Sequence, residues 1–273
     1  MNRKKGIILM ISSSFSFSCM SVFVKLTSLK VTVPQQMFFR NFISMIIMLP
    51  AVFKDKSEQY KQFKNNILAI CIRSLLGILA VYTLFHATSS GTPGIVTAVN
   101  RLSPIVVIYL SAWISKERVF RKMIFPVAVS LLGIVLILSD YSLDNYYSIA
   151  YAFLSAVFNG CAYTVLGYLK GKVSSKTIVL CFSLFTTLVF ASTLVIDHRT
   201  FGVFAAIGQI LVTEAYQVAS VSDVAMHENW GTLFSIVLSI LFFKDRYTLS
   251  MLGGSFLLVI ASMLSTQHNQ EKC

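Results

Sequence analysis

The sequence predicts an all-α integral membrane protein with ten transmembrane helices in two inverted five-helix repeats. Three observations predict it: overall apolarity, ten evenly spread apolar stretches, and a match between the halves. Of the 273 residues, 56% are hydrophobic and only 12% are charged, and the mean hydropathy is +0.74. Soluble domains are about 25% charged, so this chain has too little polar surface to cover itself in water. The net charge of +12 raises nucleic acid as a partner. However, the Lys and Arg lie in short runs between apolar stretches, where membrane topology accounts for them. The expected partner is the lipid bilayer, with no nucleic acid.

A bilayer core of about 30 Å takes roughly 20 apolar residues per helix. Ten such stretches run over 6–26, 34–53, 67–88, 93–114, 121–139, 146–168, 177–196, 200–219, 223–243 and 247–265. The longest polar connection, 54–66, leaves no room for a soluble domain. The basic start Met1-Asn2-Arg3-Lys4-Lys5 resembles a signal peptide, but no small-x-small cleavage site follows, so it reads as an uncleaved first helix. With the N-terminus in the cytoplasm, the cytoplasmic segments collect Arg3, Lys4 and Lys5; Lys54, Lys56, Lys61 and Lys64; Lys116, Arg118, Arg121 and Lys122; and Lys170, Lys172 and Lys176. Lys30, Arg199, Lys244 and Arg246 fall on the other side. The bias is clear in the first half and thin in the second, and it places both termini inside.

The halves match each other. A shift of 128 lays Ser115-Lys116-Glu117-Arg118 on Phe243-Lys244-Asp245-Arg246, Ala87 on Ala215 and Met123 on Met251. Upstream, a shift of 142 lays Cys19 on Cys161 and Lys30-Val31 on Lys172-Val173. The repeats are read as residues 1–140 and 141–273. Five helices is an odd number, so the second repeat is inverted in the membrane. Inverted repeats recur in secondary transporters, with the solute site near the midplane between them.

Ionisable groups inside a membrane face a cavity or one another. The first half carries Arg73, His86, Asn100 and Arg101, and the second Glu214, His227, Glu228 and Asn229. At the 128 shift His86 pairs with Glu214, Asn100 with Glu228 and Arg101 with Asn229. Arg101, one turn before Pro104, is the leading candidate for holding a carboxylate or phosphate, because proline removes a backbone hydrogen bond and kinks a helix. The substrate-binding candidates are Arg101, Asn100, Arg73, His86, Tyr163, Asn229 and Trp230. The ion-coupling candidates are Glu214, Glu228 and His227, since two close carboxylates share a proton or cation. The bland readings are a structural ion pair for the charges, snorkelling for Arg73 and for Arg40 near its helix end, and packing for the aromatics. The cysteines Cys19, Cys71, Cys161, Cys181 and Cys273 show no metal spacing, and no metal or cofactor is expected.

Gly208-Gln209-Ile210-Leu211-Val212-Thr213-Glu214-Ala215-Tyr216 resembles the GQxxxTxAY stretch of EamA-type drug/metabolite transporters. Ser103-Pro104, Lys116-Glu117-Arg118 and the Gly133 helix resemble the same repeat unit, and Gln36-Met37-Phe38-Phe39-Arg40 resembles the start of its second helix. The resemblance covers essentially the whole chain. It implies a ten-helix carrier in a bacterial or archaeal plasma membrane, with third, fourth, eighth and ninth helices lining the cavity. The short Asp197-His198-Arg199-Thr200 connection and the carboxylate at Glu214 depart from the family pattern.

The expected function is secondary transport of a small polar or zwitterionic metabolite, amino-acid-like or nucleoside-like, by a monomer or homodimer, with protons as a candidate coupling ion. The alternatives are a membrane-embedded enzyme and a non-transporting sensor or partner. There is no GxxxxGK[ST] loop for ATP, and no HExxH or GxSxG constellation, so no enzyme activity is expected.

Overall fold

In lipid every backbone amide must find its partner within the protein, and the described residues meet this with helices alone; no strand occurs among them. The structure, a computed structural model, describes residues 3–53, 56–115, 120–139, 146–191, 202–245 and 247–268. The helices are α1 (Arg3–Thr27), α2 (Val33–Phe53), α3 (Lys56–Asn65), α4 (Ile67–Ser90), α5 (Pro93–Asn100), α6 (Ser103–Ser115), α7 (Phe120–Ser139), α8 (Tyr146–Tyr168), α9 (Ser175–Phe190), α10 (Gly202–Val218), α11 (Val221–Ala225), α12 (Trp230–Phe243) and α13 (Leu249–His268). A 3-10 turn, Met226–Asn229, joins α11 to α12. The predicted basic turn Lys116-Glu117-Arg118, the connection Asp197 to Thr200 and Arg246 lie outside the described residues.

Three features differ from the sequence reading. The polar connection 54–66 contains α3, whose Lys, Glu and Gln content favours helix. The predicted fourth span is interrupted after Asn100, and the ninth carries the 3-10 turn at 226–229. By length and apolarity alone, the described stretches Arg3–Thr27, Ile67–Ser90, Pro93–Trp113 and Tyr146–Tyr168 are each sufficient to cross a bilayer. Others are shorter, or carry buried polar groups such as Gln36, Arg40 and Asn41 of α2.

The distribution of side chains is inside-out relative to a water-soluble protein. Leu68, Trp113, Leu241 and Phe256 are at least 65% exposed. Arg40, Arg73, Asn229 and a set of serines are buried. An apolar exterior over a polar interior is the arrangement that lipid selects.

Helix α1 packs on α10 and α12, and α8 packs on α4 and on α5 and α6. Helix α2 packs on α9, and α7 on α13. Small residues allow the close crossings. At the α7–α13 crossing Gly133 and Gly254 each face the other's carbonyl. Buried serines join helices through backbone carbonyls: Ser13 Oγ donates to Gly208 O (2.8 Å) and Ser155 Oγ to Ala80 O (2.8 Å). Two turns share one pattern. Lys30 and Val31 N–H donate to Thr27 O (2.8 and 2.9 Å), as Lys172 and Val173 N–H donate to Leu169 O (3.0 and 3.2 Å).

Candidate functional site

The two interrupted helices cross each other, α5 against α12 and α6 against α11. The first interruption has a local cause. Arg101 N–H is shared between Thr97 O (3.2 Å) and Ala98 O (3.1 Å), and Ile105 and Val106 N–H return to Leu102 O (3.1 and 3.2 Å). Pro104 has no N–H for the Asn100 carbonyl, so the helix stops there and restarts at Ser103. The second interruption contains no proline. Serines of α1 serve its carbonyls, Ser14 Oγ reaching Glu228 O (3.5 Å) and Ser18 Oγ reaching Gly231 O (2.9 Å). The Asn229 amide is drawn the other way, donating to Ser130 Oγ (3.2 Å) and Leu258 O (3.1 Å) on α7 and α13.

Beside this crossing lies a cavity of about 60 Å³, lined from α1, α2, α4, α5, α8, α9 and α10 as well as the two interruptions. It has room for a few waters, well below the ~300–1,000 Å³ of small-molecule sites. Among the described residues three arginines and one carboxylate are buried along it: Arg40, Arg73, Arg101 and Glu228. Arg101 Nη1 stands 3.8 Å from Glu228 Oε2. Tyr216 OH donates to Glu228 Oε1 (3.2 Å), and its ring stacks on Tyr163 at 5.1 Å. Gly231 makes room for the arginine, since a Cβ there would sit 2.6 Å from Arg101 Nη2.

The other two cations, Arg40 and Arg73, line the same cavity beside Phe182. Arg40 Nη2 donates to Gln209 Oε1 (3.3 Å), with its Cζ 6.0 Å from the Phe85 ring and 5.8 Å from the Phe182 ring. Arg73 Cζ lies 5.2 Å from Phe182 and 5.9 Å from Tyr163. Gly77, one turn after Arg73, lets the guanidinium lie along α4, because a Cβ there would strike Arg73 Nη1 and the Phe182 ring. Neither arginine snorkels; each is about 2% exposed. Asn100 lines the cavity and holds α8, its Nδ2 donating to Ser155 Oγ (2.8 Å) and its Oδ1 accepting from Asn159 Nδ2 (3.3 Å).

Thus Arg101, Asn100, Arg73, Tyr163 and Glu228 come together on one cavity. His86 lies apart, half-buried between Tyr82 (4.6 Å) and Tyr151 (5.5 Å). Asn229 turns towards α7 and α13, Trp230 packs beside Phe234 at 6.2 Å, and His227 is buried outside the lining. Glu214 is half-buried outside the lining, and Glu228 meets Arg101 and Tyr216 instead. Sequence reasoning did not select Arg40, Gln209, Asn159 or the α1 serines Ser14, Ser18 and Ser21. The serines had a signal in their i, i+4, i+7 spacing, which places one polar stripe along an apolar helix.

Comparison with known proteins agrees with this architecture. The EamA-like transporter family matches residues 4–139. A Helicobacter pylori (strain J99) protein named "Uncharacterized transporter" is 26% identical over 271 residues, covering 90% of each chain. The "Pseudopaline exporter CntI" of Pseudomonas aeruginosa (strain UCBPP-PA14) is 25% identical over 272 residues, covering 94% of each. A solved crystal structure superposes over 100% of both chains with a TM-score of 0.73 at 12% identity, a likeness of fold alone. The chain belongs to the EamA-like transporter family of the drug/metabolite transporter superfamily, and is a multi-pass membrane transporter.

Proposed function

We propose that this transporter is a secondary carrier that moves a small polar or zwitterionic metabolite, amino-acid-like or nucleoside-like, by alternating access. The observation that carries the reading is the buried Arg101–Glu228 pair where two interrupted helices cross beside a cavity. Opposite charges a few ångströms apart suit the carboxylate and ammonium of a zwitterion. Each solute group then replaces one partner of the pair, so neither charge is left bare in the membrane.

The carrier is read as ten crossings, with residues 1–140 and 141–273 as inverted halves and both termini in the cytoplasm of a bacterium or archaeon. Packing supports this, because α1 on α10 answers α8 on α4. The paired serines Ser13 and Ser155, 142 apart, donate to Gly208 and Ala80, 128 apart. Both ends of the cavity region are tied by lysines to carbonyls: Lys25 Nζ donates to Ser89 O (3.1 Å) and Lys170 Nζ donates to Ala219 O. In an inverted pair these ties sit at opposite membrane faces. Opening one while the other holds gives alternating access, and the small cavity volume fits a state closed at both ends.

Glu228 is the coupling group we favour, with Glu214 and His227 behind it. It is faced by Arg101 from the first interruption and by Tyr216 from α10, with Tyr163 stacked behind Tyr216. The substrate wall comprises Arg101, Asn100, Arg73 and Tyr163, and His86, Asn229 and Trp230 act at a distance by positioning helices.

The test is transport by purified protein in proteoliposomes exposed to a mixed metabolite extract, with mass spectrometry of the lumen. A solute should accumulate in these vesicles and not in empty vesicles or in vesicles carrying Arg101→Ala. No enrichment of any solute, with or without a proton gradient, would refute the carrier reading.

A further inference from the structure

Charge in the cavity does not balance. Among the described residues three guanidiniums and one carboxylate are buried along it. Glu228 lies against Arg101, so Arg40 and Arg73 remain without a carboxylate. Their hydrogen bonding is also incomplete. Arg40 uses Nη2 on Gln209 and leaves Nε and Nη1 without a partner. Arg73 leaves Nε and Nη1 without a partner. Both side chains line the cavity, and both lie within 6 Å of one ring, Phe182. Cation–π contact of this kind offsets only part of the desolvation of a buried cation. A guanidinium presents a fork of donors that matches a carboxylate or phosphate.

We infer that Arg40 and Arg73 form a second subsite, an anion clamp, so that the transported solute is net anionic and carries an acidic group in addition to its zwitterionic end. The inference rests on the carrier reading and narrows its substrate class. A neutral zwitterion satisfies Arg101 and Glu228 and leaves Arg40 and Arg73 without an anionic counterpart. An amino acid bearing an extra carboxylate or phosphate satisfies all four groups. Phe182 holds the two guanidiniums in place, and Gly77 keeps the Arg73 fork clear of α4.

The test is thermal unfolding of the purified full chain in detergent against graded concentrations of defined probes. L-glutamate and L-2-aminoadipate supply the extra carboxylate, and O-phospho-L-serine the extra phosphate. L-glutamine and L-serine are the neutral counterparts. At least one acidic probe should stabilise the protein at concentrations roughly tenfold or more below its neutral counterpart, the factor of one charge-assisted bond. The more effective acid identifies the group. Arg40→Gln and Arg73→Gln should each abolish that preference. Arg40→Lys and Arg73→Lys keep the charge and should keep the preference with weaker binding, which guards against a loss caused by misfolding. Equal effects of acidic and neutral probes, no effect of any acidic probe, or an unchanged preference in the glutamine variants would overturn the inference. The carrier reading fails separately. A probe that stabilises the protein and does not exchange into proteoliposomes refutes transport and leaves the clamp standing; exchange of neutral solutes alone does the reverse.

Discussion

Replacing either member of the Arg101–Glu228 pair should cost far more than replacing both. At 3.8 Å, and at the effective dielectric of about 20 that fits protein sites, the attraction is about 4 kcal/mol. Both side chains are about 90% buried or more, so loss of one partner leaves the other charged and uncompensated, a loss of about 3–5 kcal/mol. Arg101→Met leaves Glu228 with the Tyr216 hydroxyl, and Glu228→Gln leaves the three arginines without a carboxylate on the cavity among the described residues. The double variant removes attraction and desolvation together. We expect the double variant to cost less than either single, so its destabilisation falls at least about 3–5 kcal/mol short of the sum of the singles. The assay is denaturant unfolding in micelles, followed by tryptophan fluorescence, for which Trp230 beside the second interruption is a convenient reporter. Additivity within about 0.5 kcal/mol would mean that the two groups do not form a pair, and the zwitterion reading would lose its footing.

Three further outcomes follow from the same geometry. Glu228→Gln should flatten the pH profile of transport, because it removes the carboxylate that Arg101 and Tyr216 face; a profile with its wild-type shape would rule Glu228 out as the coupling group. Gly231→Ala sets a Cβ 2.6 Å from Arg101 Nη2; displacing a guanidinium by about 1 Å costs on the order of a hundredfold in activity, so uptake should fall steeply while the melting temperature changes little, and unaltered uptake would place Arg101 outside the solute path. Gly133→Val crowds the α7–α13 crossing, where even a Cβ lies 2.6 Å from Gly254 O; overpacking of this kind costs about 1–3 kcal/mol, whereas Gly253→Ala points into open space and should melt like the parent protein.

Much of the fold was legible because lipid demands long apolar helices, and 146–168 was marked to the residue. Depth along a helix was legible as well, which singled out Arg101 and Glu228. The direction in which a side chain points was not. Arg40 and Arg73 lie near helix ends in sequence, where snorkelling is the natural expectation, yet their helices turn them inwards onto Phe182. Asn229 aligns with Arg101 at the 128 shift, but neighbouring helix positions differ by about 100°, and its amide is taken by Ser130 and Leu258. The first interruption was announced by Pro104. The second carries no proline and depends on α1 serines that lie more than 200 residues away in the chain.

The sequence by itself determined the solvent, the helices and the presence of costly charges within them, because apolar length and composition are local properties. Only the tertiary structure decided which charges meet. Glu228 meets Arg101 rather than Glu214, and Arg40 joins Arg73 on one wall. Those partnerships arise where interrupted helices cross, and they depend on which face each helix presents to the others. No single stretch of sequence records that.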